Sequence, residues 1–108
     1  MRRGLVYIND TLAGSITEGD GSYSFQYDEV YLRQPQAKPI SLTLPLQPDA
    51  YKSTSMFAFF DGLIPEGWLL DIAEKNWKLQ RRDRMGLLLT VCQDCIGNIS
   101  IRAEENHE

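Results

Sequence analysis

The sequence predicts an α+β fold: a small antiparallel β-sheet, a barrel-like meander, packed against three helices. Three observations carry this. The first half alternates apolar and polar residues with period two, the second half shifts to spacings of three and four, and a short β-rich segment follows Gly97. At 108 residues the chain has room for one domain, 1–108.

Residues 4–8, Gly-Leu-Val-Tyr-Ile, read as a strand, Asn9-Asp10 as a turn and Leu12 to Thr17 as the returning strand. Glu18-Gly19-Asp20-Gly21 is a second turn. Tyr23, Phe25 and Tyr27 then alternate with Ser24 and Gln26, placing three aromatics on one face of a third strand. Asp28 is placed to cap a helical turn through Leu32, which Pro35 ends. Ile40-Ser41-Leu42-Thr43-Leu44 alternates again and predicts a strand closed by Pro45 and Pro48.

After Tyr51 the period changes. Ser53 or Thr54 is expected to cap a short helix carrying Met56, Phe57, Phe59 and Phe60. A tight loop, 61–67, leads into a helix from Glu66 to about Lys78 with Leu69, Ile72, Ala73 and Trp77 as its apolar stripe. A last helix, 82–92, turns Met85, Leu88, Leu89 and Cys92 inward, and a final strand spans Asn98 to Arg102. Residues 102–108 are expected to form a frayed acidic tail.

Charge and composition narrow the function. The net charge is −4, against the basic balance of a nucleic-acid binder. Lys75, Lys78, Arg81, Arg82 and Arg84 form one basic cluster, read as solvated surface or as a docking patch for an acidic partner. Met1-Arg2-Arg3-Gly4 has no apolar run behind it, and no stretch has the roughly 20 apolar residues of a membrane span, so a cytoplasmic protein is expected.

Catalytic chemistry finds little support. The sole histidine, His107, is one residue from the C-terminus, which removes Ser/His and Cys/His schemes. Cys92-x-x-Cys95 has thiol spacing but no further zinc ligands, and it closes a helix where a redox pair would open one. Gly19-x-Gly21 suits a hairpin better than a phosphate loop, and Glu66 with Asp71 is an ordinary pair of carboxylates on neighbouring helical turns. No catalytic, cofactor-binding or metal-binding residue is assigned; a non-enzyme that binds another protein is expected.

Three motifs point further. Pro39-Ile40-Ser41-Leu42-Thr43-Leu44-Pro45-Leu46 resembles the P-L-S-L-S-L-P-L strand of HipA-family kinases. Phe59-Phe60-Asp61-Gly62-Leu63-Ile64-Pro65-Glu66-Gly67 resembles their F-F-D-N-L-L-P-E-G segment. Leu87-Leu88-Leu89 followed by Asp94-Cys95-Ile96-Gly97 resembles their L-L … D-C-x-G ending, and Gly14, Phe25 and Tyr27 fit the region before it. Gly62 departs from the usual Asn, and Cys92 and Asn98 stand where Gly and Ala are common.

The resemblance covers the N-terminal subdomain of that family and none of its ATP-binding or catalytic segments. It is similar to the small antitoxin subunit of tripartite HipBST toxin–antitoxin systems. It implies a chain that binds and restrains a HipT-like serine/threonine kinase toxin, in a ternary complex with a HipB-like helix-turn-helix protein, without touching nucleic acid or membrane itself. An activating or adaptor subunit of a split kinase is the alternative.

The expected partner-binding residues are Ile64, Pro65, Glu66, Gly67, Trp68 and Leu69. On a helical wheel of about 100° per residue, Trp68 lies roughly 100° from the centre of the apolar stripe, on the flank of the core or outside it. A tryptophan at a loop–helix junction is a natural interface anchor. The alternative packs it over Ile64 or Pro65 of its own loop.

Overall fold

The computed structural model describes residues 2–64, 83–91 and 98–104. A five-stranded sheet in the order β4-β3-β2-β1-β5 organises them. Its strands are β1 (Arg2–Ile8), β2 (Thr11–Gly19), β3 (Ser22–Tyr27), β4 (Tyr51–Ser53) and β5 (Ile99–Ala103). Every neighbouring pair is antiparallel. The helices are α1 (Glu29–Leu32), α2 (Ala58–Asp61) and α3 (Arg84–Val91).

Local chemistry sets the first three strands. Asn9 and Asp10 take φ of 49° and 68°, the left-handed conformation that a two-residue hairpin needs and that these two residue types tolerate. Asp20 (φ 50°) and Gly21 (φ 75°) repeat the device between β2 and β3, so the Gly19-x-Gly21 pattern is a hairpin turn. Register then aligns Val6 with Ile101 and Ile16 with Phe25, which gathers large apolar side chains on one face. Val6, Ile16, Phe25 and Ile101 are fully buried there. A bulge between Val6 and Tyr7 shifts the β1–β2 register by one residue.

An aromatic chain links the sheet to the helices. Phe25 meets Tyr27 edge-on at 4.9 Å between centroids and tilts against Phe60 of α2 at 5.4 Å. Tyr27 stacks on Tyr31 of α1 at 6.2 Å. Gly14 belongs to this packing: a Cβ there would sit 2.4 Å from the Gln26 carbonyl oxygen and 3.1 Å from the Phe25 ring. Asp28 caps α1 as expected, accepting from Val30 N–H at 3.1 Å and Tyr31 N–H at 3.2 Å.

Two expectations are corrected. Residues 40–44 form no strand. Leu44 N–H donates to the Ser41 carbonyl at 3.1 Å and Thr43 N–H to Ser41 Oγ at 3.2 Å, which closes a tight turn. Ile40 and Leu44 are buried, but Leu42 at the tip is 97% exposed, so the three do not share a face. The Tyr27 hydroxyl holds the turn from beneath, donating to the Leu44 carbonyl and accepting from Ile40 N–H.

The second correction concerns 51–61. Ser53 ends a short strand instead of capping a helix; it pairs with Tyr23 while Tyr51 pairs with Phe25. Helix α2 starts only at Ala58, behind Phe57, with no side-chain cap. α3 falls within the expected 82–92, and Leu87 is buried beside the expected Met85 and Leu88. Strand β5 runs to Ala103, and Glu104 N–H donates to the Arg3 carbonyl at 2.9 Å, so ordered chain continues past Arg102. The expected helix 66–78, both cysteines and His107 lie outside the described residues.

Candidate partner-binding surface

Of the six expected partner-binding residues, Ile64 is described and Pro65, Glu66, Gly67, Trp68 and Leu69 lie outside the described residues. Ile64 is a core residue, 2% exposed, and its N–H donates to the Asp61 carbonyl at 3.2 Å. It therefore fixes the chain just before residues 65–69 rather than offering a surface of its own.

Polar contacts secure both ends of the intervening stretch. Asp61, the last residue of α2, accepts from Arg84 Nε at 2.6 Å, tying α2 to the first residue of α3 across 23 positions of sequence. Asp83, immediately before α3, is held twice. Its Oδ1 accepts from Gly86 N–H at 3.1 Å, capping the helix. Its two oxygens also take a bidentate pair from Arg2 at the start of β1, at 3.0 and 2.7 Å. Arg2 further donates to Glu18 of β2 at 2.8 Å. The charge network thus joins the start of β1 and the end of β2 to the helix that follows residue 82.

Electrostatics are those of a structural network. The Arg2 guanidinium holds the Asp83 carboxyl below the usual carboxylate range, with the capping N–H helping. The same contact raises Arg2 above its ordinary value, with Glu18 helping and burial opposing. Both side chains keep over a third of their surface exposed, 40% and 35%, so solvent screens the pair and its contribution to stability is modest. Gly86 is the residue that this cap requires: a Cβ there would lie 2.2 Å from Asp83 Oδ2.

Gly62, in the same motif, is not conformationally required. Its φ is −69°, and an added Cβ would make only ordinary contacts at 3.4 and 3.5 Å. The departure from Asn at this position leaves the backbone unstrained. Arg84 is the one described member of the basic cluster, and it is committed to Asp61.

Sequence reasoning missed Asp61, Asp83 and Arg2. A signal existed for Asp83, an N-cap residue type directly ahead of an apolar helical period. Nothing local could pair it with Arg2, 81 positions away. No group of metal-ligating side chains occurs among the described residues, and no helix among them is long and apolar enough to cross a membrane.

Comparison with known proteins gives the arrangement a family. An uncharacterised protein of Haemophilus influenzae is 27% identical over 105 residues, spanning 97% of this chain and 95% of that protein. The solved N-terminal domain of HipA toxin superposes with a TM-score of 0.70 at 25% identity, covering 99% of this chain and 96% of that one. The family model of the HipA N-terminal domain matches residues 4–102. On that match, which takes in all five strands but the edges of the first and last, the chain belongs to the HipA N-terminal domain family.

Proposed function

We propose that this chain is a HipS-like antitoxin. It binds a HipT-like serine/threonine kinase toxin in the cytoplasm and restrains its phosphate transfer by contact, contributing no reactive group of its own. The reading also takes in a HipB-like helix-turn-helix protein as third member of the complex. The observation that carries it is the coverage: nearly all of this chain corresponds to nearly all of the N-terminal domain of a toxin of this family.

Contact is made by residues 65–69, a short knuckle that follows the buried Ile64, with Trp68 entering the kinase cleft. The geometry around the knuckle supports this. Ile64 is embedded in the core and Asp61 is tied to Arg84, so the residue that precedes the segment is a fixed base. A recognition element on a rigid base loses less entropy on docking than a free loop does. Within one chain, a tether supplies an effective concentration in the millimolar range; two separate chains need an interface of about 1,600 Å² in total to compensate.

The test is a titration of the purified kinase with this protein, reading autophosphorylation. Activity is expected to fall to a floor at stoichiometric addition, and Trp68→Ala to weaken inhibition at least tenfold while the melting temperature holds. A rise in activity would instead favour an activating subunit. No association and no change in phosphate transfer would remove the proposal altogether.

A further inference from the structure

The other end of the sheet carries a second surface. A groove of about 610 Å³ opens where β1 ends and β5 begins. Its floor is apolar: Tyr31 and Ile40 are buried there, with Ile8, Phe59 and Ile99 half-buried. Strand rise places it about 20 Å from the Arg2–Asp83 network, at the far end of β1.

The rim is chemically uniform. Asn9, Gln34, Gln36 and Asn98 bring side-chain amides to it, and none of the four has a hydrogen-bond partner among the described residues. Each amide offers a donor and an acceptor, the pair of groups an extended main chain presents. Lys38 is the one charged residue among the described lining, and no described carboxylate pairs with it. Its backbone is pinned, its N–H donating to the Tyr31 hydroxyl at 3.0 Å and its carbonyl accepting from that hydroxyl at 2.6 Å, so the ammonium is presented from a fixed point.

The charge pattern selects the occupant. The chain carries 15 acidic residues, yet none of them is among the described residues that line the groove. An otherwise acidic protein thus has an apolar trough in which the one formal charge among the described lining residues is positive. We propose that this groove, from Ile8 and Ile99 to Lys38, binds an extended acidic peptide segment of a partner protein, with one bulky apolar side chain on the Ile40–Phe59 floor and a carboxylate on Lys38. The amides of Gln34, Gln36 and Asn98 take its main chain. None of the six expected partner-binding residues is among the groove's described lining.

The experiment uses the full chain and no kinase, so its outcome is independent of the inhibition reading. The probe is a fluorescein-labelled peptide with a central leucine flanked by glutamates, and its control replaces every glutamate by glutamine. Anisotropy is expected to show saturable binding of the acidic probe. Lys38→Glu, at an exposed position, is expected to weaken that probe about tenfold and the glutamine control hardly at all. Amide chemical-shift changes in the wild type are expected to centre on Ile8, Ile40 and Ile99. Overturning results are no saturation by about 1 mM probe, a Lys38→Glu protein that binds the acidic probe as well as wild type, or shifts centred elsewhere.

Discussion

Asp83 does two jobs with one carboxylate, and substitution separates them. Asparagine caps a helix about as well as aspartate, so Asp83→Asn removes the ion pair with Arg2 and keeps the cap. Asp83→Ala removes both. With the partners 40% and 35% exposed, the pair belongs near the top of the surface range, about 1 kcal/mol. A lost cap costs about 1 kcal/mol more. The expected order is wild type, then Asn lower by about 1 kcal/mol, then Ala lower by about 2 kcal/mol; at roughly 4–8 °C per kcal/mol the alanine protein melts about 8–16 °C below wild type.

The pH dependence has a fixed sign. Asp83 is held below its ordinary value in the folded state, so its charge-linked stability is present above the unfolded value of about 3.9 and is lost as pH falls through the lower folded value. Urea unfolding followed by circular dichroism between about pH 6 and pH 2 reads this directly: the gap between wild type and Asp83→Asn closes toward the acid end. A gap that stays constant across that range, or an alanine variant no less stable than the asparagine one, refutes the reasoning.

Glycine positions give an opposed pair of outcomes. Gly14→Ala drives a Cβ to 2.4 Å from the Gln26 backbone oxygen and is expected to cost about 2 kcal/mol or more in chemical denaturation. Gly62→Asn, at an unstrained φ of −69°, is expected to stay within about 0.5 kcal/mol of wild type. Tyr27→Phe strands the Leu44 carbonyl and the Ile40 N–H beneath the 41–44 turn, and an expected loss of about 1–3 kcal/mol is measurable by thermal melting. Burial raises the Tyr27 hydroxyl above its ordinary value, so its contribution is complete below about pH 10 and is lost as pH climbs through the folded value; the phenylalanine protein lacks that alkaline loss.

The strands of the first half were legible because their alternation and turn chemistry agree. Tyr23, Phe25 and Tyr27 mark one face, and Asn9-Asp10 and Asp20-Gly21 are residues that accept positive φ. The same rule misled at 40–44, where Ile40 and Leu44 are buried by a turn whose Ser41 side chain competes for backbone N–H groups. Strand β4 escaped notice because three residues hold no readable period; its place comes from pairing with β3. The 59–67 segment was recognisable as a motif, whereas the contacts on either side of residues 65–82 join residues 23 and 81 positions apart, beyond any local pattern.

The sheet order has a consequence for how the domain is made. β1 pairs on one side with β2, two residues away, and on the other with β5, where Ile8 faces Ile99. During synthesis at about 5–20 residues per second, that second flank of β1 waits several seconds for its neighbour. Throughout the wait, a strand carrying Leu5, Val6, Tyr7 and Ile8 presents unpaired main-chain groups to any other extended chain nearby. The nascent polypeptide is therefore open to mispairing until β5 emerges, and a chaperone that shields that flank early would raise the yield of folded protein.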